Sequence, residues 1–175
     1  MIDLSNGLPD TVTVDGKPYL IKTDFREWLK FAQIVERENV TLYDIAYLFD
    51  GEIPPVDFSK EIVEFFSNEN EVPNYNDTGN ERVLDYLIDG EYIYASFMAE
   101  YGIDLIDIEY LHWHKFKALL IGLSDESKIK QIMGMRAYKK SNKTPEKIAQ
   151  ENKKAWELPK KYDKEIIEEI QKAFG

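Results

Sequence analysis

The chain has 175 residues, a formal net charge of −11 and no cysteine. This length suits one domain, or one domain with an appendage, and the lack of cysteine excludes disulfides, a thiol nucleophile and a thiolate metal site. No run approaches the ~18 apolar residues that a membrane span requires, and the first residues show neither the basic region nor the apolar run of a secretory signal. The sequence therefore predicts a soluble protein of a reducing compartment, without a membrane partner.

The charge is spread unevenly along the chain. Residues 1–100 contain 7 Lys and Arg against 21 Asp and Glu, whereas residues 101–175 contain 15 against 12. Nucleic-acid binders usually present a basic face, so the acidic body predicts no nucleic-acid partner. The basic end of one copy would fit the acidic body of another, so a second copy is an expected partner, although a simple solvated surface is the plainer explanation of the charge split.

The first element is a β-hairpin over residues 11–22. Residues 11–14 alternate polar and apolar side chains and form the first strand. Asp15-Gly16 follows as a turn pair, and residues 18–22 form the second strand. This is a strong short-range hairpin signal. Because an isolated hairpin is marginally stable in water, it must pack on the helices or add to another sheet edge.

The rest of the body reads as helices. Thr23 or Asp24 caps a helix to about residue 36, a Thr41–Asp44 capping box opens a helix over 42–49, and Asp57 caps a helix to about residue 67. Two further helices are predicted over 90–101 and 108–122, with starts at Asp89 and Asp107, and a third starts at Ser124 and carries Ile129, Ile132 and Met133. Gly102 supplies the left-handed stop of the first of these three.

The predicted helices of the C-terminal end contain fewer apolar residues than those of the body. Thr144-Pro145-Glu146 predicts a helix start, and Pro159 separates that helix from a last amphipathic segment. Two such helices either dock on their own body or bind a partner. The candidate partner-binding side chains are the apolar residues of this end: Trp156, Ile166, Ile167, Ile170 and Phe174.

Together these patterns predict a mainly α protein with a short N-terminal β-hairpin, in which a compact helical domain carries C-terminal amphipathic helices. The predicted boundaries are a helical body over residues 1–143, with the hairpin at 11–22, and a helical extension over residues 144–175.

The sequence gives little support for catalysis. His112 and His114 are the only two histidines, and residues two apart on a helix point about 200° away from each other, so they do not form the zinc-binding i, i+4 pair. Asp104, Asp107 and Glu109 are more simply turn and cap residues than an acid–base pair. No phosphate-binding loop, dinucleotide fingerprint or nucleophile elbow occurs. We therefore expect no enzymatic activity, no cofactor and no metal.

The central segments resemble a known family. Residues 89–97 (DGEYIYASF), 101–105 (YGIDL), 111–120 (LHWHKFKALL) and 132–136 (IMGMR) resemble, as a set, small proteins of tailed phages and prophages of Gram-positive bacteria. Genes of that family lie between those of the major tail protein and the tape-measure protein. With the hairpin, the resemblance covers roughly residues 8–140.

The resemblance implies a tail assembly chaperone. Such proteins are thought to keep the tape-measure chain soluble in the host cytoplasm while tail-tube subunits polymerise around it, and they are usually absent from the finished virion. The implied partners are the tape-measure protein and possibly the major tail protein. Two alternatives stay open, namely a structural subunit of the tail and a small acidic regulatory or inhibitory binding protein.

Overall fold

The computed structural model describes residues 5–37, 39–67, 82–138 and 146–158. The chain begins with an antiparallel hairpin of β1 (Thr11–Val14) and β2 (Lys17–Leu20), in which Val12 pairs with Tyr19. Asp15 and Gly16 both adopt positive φ, at 49° and 77°, as the tight two-residue hairpin turn requires. The predicted hairpin is therefore confirmed.

Three helices and a 3-10 turn follow, with the predicted caps. They are α1 (Phe25–Ile34), α2 (Leu42–Ile45) continued by a 3-10 turn (Ala46–Leu48), and α3 (Ser59–Ser67). Asp24 accepts the Arg26 amide, and the Thr41–Asp44 capping box is formed. The hairpin packs on α3, and just after β2 the Lys22 amide donates a 2.7 Å hydrogen bond to the Leu48 carbonyl of the 3-10 turn. The hairpin thus packs on the protein's own helices.

The central helices supply the core. They are α4 (Gly90–Tyr101), α5 (Trp113–Gly122) and α6 (Lys128–Arg136). Gly102 ends α4 in the left-handed conformation at φ 65°, as predicted. The core is an aromatic cluster in which Phe116 stacks on three rings, with centroid distances of 4.9–5.7 Å: Phe25, Phe97 and Trp113. The mainly α fold with an N-terminal hairpin is confirmed.

Two predicted helix starts are wrong. The helix expected from Asp107 begins at Trp113, with His112 as its N-cap. Asp104 accepts the amides of Ile106 and Asp107 and so closes a turn where helix was expected. The following helix begins after Ser127, whose side chain accepts the Lys130 amide, and not after Ser124. Both stretches contain more than one residue able to cap a helix, and in each the cap that forms lies C-terminal to the predicted one.

The last described helix, α7 (Glu146–Ala155), packs against α6. Beyond it the Trp156 carbonyl accepts a 2.6 Å hydrogen bond from Arg136 Nε, and the Trp156 ring lies 5.8 Å from that of Tyr92. Arg136 also forms a buried, two-pronged ion pair with Asp89, at 2.6 and 2.9 Å. One guanidinium thus joins the start of α4, the end of α6 and the residue that follows α7.

Candidate functional site: an apolar groove

The two histidines are structural in this fold. His112 Nδ1 accepts the amide of His114, and its Nε2 bonds the Pro9 carbonyl. His114 Nε2 bonds the Phe65 carbonyl at 2.9 Å, and its ring stacks on that of Phe65. Burial lowers the pKa of His112 and lowers that of His114 to about 4. Both rings are therefore neutral cross-links between α5 and earlier segments.

The described residues contain no cluster of three or more side chains suited to hold a metal ion. Within the same residues no helix is both long and apolar enough to cross a membrane. The carboxylates singled out from the sequence do not converge on a catalytic site either. Asp104 bonds the Tyr94 hydroxyl and two backbone amides, whereas Asp107 and Glu109 are exposed.

Of the predicted partner-binding residues, Trp156 lies in the described part of the chain. Its ring packs against Tyr92 and lies under the Lys128 ammonium group, 4.7 Å from the ring centroid. Leu158, two residues later, is buried. Ile166, Ile167, Ile170 and Phe174 lie outside the described residues. A role of this end in partner binding therefore stays a prediction.

A groove opens between α1, α4 and the connection from α4 to α5. Its volume is about 350 Å³, and apolar side chains dominate its lining. Phe25 and Leu29 come from α1, Ile93 from α4 and Leu105 from the connection. Phe116 forms part of the floor, because its ring also belongs to the central aromatic cluster. The groove is therefore an opening onto the core itself.

One large aliphatic side chain of the groove lining is strongly exposed. Ile106 lines the groove and is 73% exposed. A single exposed apolar residue is ordinary on a protein surface. Here it belongs to an apolar depression, and apolar surface of this kind is a candidate interaction site.

The turn that presents Ile106 is held on both sides. Asp104 bonds the Ile106 amide at 2.9 Å, and that bond lowers the pKa of the Asp104 carboxyl. From the other side, Arg26 Nη2 donates to the carbonyls of Leu105, Ile106 and Ile108, at 3.3, 3.4 and 2.5 Å. Because the backbone of this turn is already fixed, little backbone entropy is lost when a partner covers the Ile106 side chain. The turn is therefore preorganised for contact.

The groove's own cation is already paired. Arg26 Nη1 lies 3.2 Å from both carboxylate oxygens of Asp24, and the guanidinium carbon lies 4.8 Å from the Phe25 ring centroid. Arg26 therefore acts as a strut between α1 and the Ile106 turn.

The chain segment that supplies much of the groove is acidic in sequence. Residues 83–114 contain seven acidic residues and no Lys or Arg. Two of these acids are paired, Asp89 with Arg136 and Asp85 with Arg82. The charged residue that lines the groove itself is Arg26.

Sequence reasoning missed this groove. Its lining comes from four separate segments, and no periodicity in one segment reveals it. Two signals were visible in hindsight: the cation-free run 83–114, and the sequence Asp104-Leu-Ile-Asp107, where two acids flank apolar residues in a turn-forming context.

The chain matches the model of a known protein family. The family described as Bacteriophage Gp15 protein matches residues 37–164, nearly three quarters of the chain. The chain therefore belongs to this family of bacteriophage proteins. The match extends through α7, beyond the residue-140 limit of the resemblance recognised in the sequence, and it begins after the hairpin and α1. No curated protein and no solved structure matches the chain.

Proposed function

We propose that this protein is a phage tail assembly chaperone that binds the tape-measure protein and keeps it soluble during assembly of the tail tube. It acts without catalysis, in the host cytoplasm, and is absent from the mature virion. The major tail protein is a possible second partner, and self-association accompanies the role.

The observation that carries this proposal is the apolar groove with the preorganised Ile106 turn. A long helical chain exposes apolar stripes before its partners arrive, and a groove between helices covers such a stripe. The high negative charge of the chain keeps a complex of this kind in solution. Membership of a bacteriophage family agrees with the part of the proposal that makes this a phage protein.

The test is co-expression of the protein with the tape-measure protein of the same phage, followed by pull-down and sizing of the eluate. We expect the tape-measure chain to be soluble only in the presence of its partner. Ile106→Ser should reduce the recovered complex severalfold. Ile53→Ser is the matched control, because Ile53 is also exposed, at 49%, and does not line the groove.

An equal yield of complex with Ile106→Ser and with wild type would refute the groove as the client site. A second hypothesis, motivated by the thin apolar stripe of the last segment, places the client on the C-terminal residues. Truncation after Leu158 tests it and retains the bond from Arg136 to the Trp156 carbonyl. Loss of the complex after this truncation, together with an undiminished yield of complex for Ile106→Ser, would favour the C-terminal site.

Two alternatives predict other results. A structural subunit of the tail would be detected in purified virions, and this result would replace the chaperone proposal. A regulatory or inhibitory protein would bind a host protein and leave the tape-measure chain insoluble.

A further inference from the structure

The described chain ends beside one of the helices that form the groove. The Trp156 ring lies 5.8 Å from the ring of Tyr92 in α4, and Arg136 Nε donates a 2.6 Å hydrogen bond to the Trp156 carbonyl. Tyr92 directly precedes the groove-lining residue Ile93 in α4. Because neighbouring residues of a helix point about 100° apart, Trp156 lies against the next face of α4 and not in the groove itself.

The residues that remain can span the distance from this face to the groove. A 100° arc around a helix of about 5 Å radius, side chains included, measures about 9 Å. Residues 159–162, fully extended, cover up to about 14 Å. Residues 163–174 would form a helix about 18 Å long at a rise of about 1.5 Å per residue. The segment after Leu158 is thus long enough to place a three-turn helix over the groove.

The same segment has the apolar stripe that such a contact requires. The stripe consists of four large apolar residues at helical spacing: Ile166, Ile167, Ile170 and Phe174. A helix this short is marginal in water unless its apolar stripe packs on another surface. The groove offers an apolar lining that opens onto the core, with Ile106 strongly exposed. Residues 159–175 contain four Lys and four Asp or Glu, so the net charge of the segment does not oppose the contact.

Tethering favours this occupant over a separate molecule. A segment joined by a short linker acts at an effective concentration in the millimolar range, so it fills a surface that the same peptide, free at micromolar concentration, would leave open. We propose that residues 163–174 bind in the groove as a helix and close it until a client displaces them. Displacement by a client rests on the proposed function, whereas the contact itself is a property of the isolated chain.

Cysteine cross-linking tests the contact directly, because the native chain has no cysteine. The full chain with Ile106→Cys and Ile170→Cys is treated with a short bismaleimide at low protein concentration, and the linked products are identified by mass spectrometry. The matched control is Ile53→Cys with Ile170→Cys, since Ile53 is also exposed, at 49%, and does not line the groove. We expect the intramolecular link to form severalfold faster in the Ile106 pair.

Dye binding gives the second arm. The dye ANS reports exposed apolar surface, and the chain truncated after Leu158 should bind severalfold more ANS than the full chain. Ile170→Ser with Phe174→Ser in the full chain should reproduce this gain. The matched control is Lys164→Ser with Lys172→Ser, which changes polar positions outside the stripe and should not. Circular dichroism checks that every variant keeps the helical fold.

The Ile106 side chain links the dye signal to the groove. Adding Ile106→Ser to the truncated chain should remove most of the gain in ANS binding, because Ile106 belongs to the uncovered lining. Equal cross-linking of the Ile106 and Ile53 pairs, no gain of ANS binding on truncation, or a gain untouched by Ile106→Ser would each overturn the inference. Links that join two copies in place of one would assign the groove to a second copy and would also overturn it.

The contact and the proposed function can fail separately. If the contact is absent, the groove remains the client site as long as Ile106→Ser still reduces the tape-measure complex. If the contact is present and Ile106→Ser leaves that complex undiminished, the contact stands and the role of the groove in client binding fails. If both are correct, truncation after Leu158 should not lower the yield of the complex.

Discussion

The buried ion pair between Asp89 and Arg136 gives the strongest prediction about stability. The Asp89 side chain is fully buried and the Arg136 side chain is 6% exposed. Arg136 also donates to the Val83 and Trp156 carbonyls. In Asp89→Ala the guanidinium would stay buried among these groups with its charge uncompensated.

The expected loss follows from the physics of buried charges. Removing one partner of a buried ion pair costs about 3–5 kcal/mol, because the other charge is left without compensation. A loss of this size lowers the melting temperature of a chain of this length by roughly 10 °C. We expect urea unfolding, followed by circular dichroism, to show this reduction in the free energy of unfolding of Asp89→Ala.

Two further variants make the test specific. Glu52→Ala removes the exposed pair of Lys17 and Glu52, whose side chains are 53% and 64% exposed, and should change stability little. Asp89→Leu combined with Arg136→Met removes both buried charges and should be less destabilised than Asp89→Ala. A loss for Asp89→Ala no larger than that for Glu52→Ala would refute the assignment of Arg136 as the buried link between α4, α6 and the end of α7.

Two other predictions concern histidine burial and a helix end. Burial lowers the pKa of His114 from 6.5 to about 4 in the folded chain, so the unfolded chain binds an extra proton between those pH values. The contribution of neutral His114 to the free energy of unfolding should therefore be fully present above about pH 6.5 and should fall as the pH drops towards 4. His114→Gln should flatten this dependence in urea unfolding at several pH values, and an equally steep curve would contradict the account. Gly102→Ala should cost about 1 kcal/mol, since φ of 65° there is unfavourable for a residue with a Cβ; thermal unfolding measures it, and no loss of stability would contradict the strained cap.

Local signals in the sequence predicted the elements that depend on neighbouring residues. Asp15-Gly16 determined the hairpin turn, and Gly102 determined the end of α4, because each meets a backbone requirement within a few residues. The start of α5 was mispredicted because Asp107 is an equally acceptable cap in isolation. The His112 ring caps α5 instead, and its other nitrogen bonds the carbonyl of Pro9, over a hundred residues away.

The groove depends on tertiary structure in the same way. Phe25, Ile93, Leu105 and Phe116 come from four separate segments, and only the tertiary packing of these segments brings them to one opening. The Ile106 turn also depends on Arg26, about eighty residues earlier. That the chain belongs to a bacteriophage protein family, in contrast, was recognisable from short apolar and aromatic motifs.

The central claim of the proposed function is that a tape-measure segment binds in the groove lined by Ile106. Hydrogen–deuterium exchange of the complex, compared with the free protein, tests it most directly. The account predicts added protection in segments 25–29, 86–93 and 105–109, with α6 and α7 unchanged. Protection confined to α6, α7 and the residues beyond, with the groove segments unchanged, would contradict it.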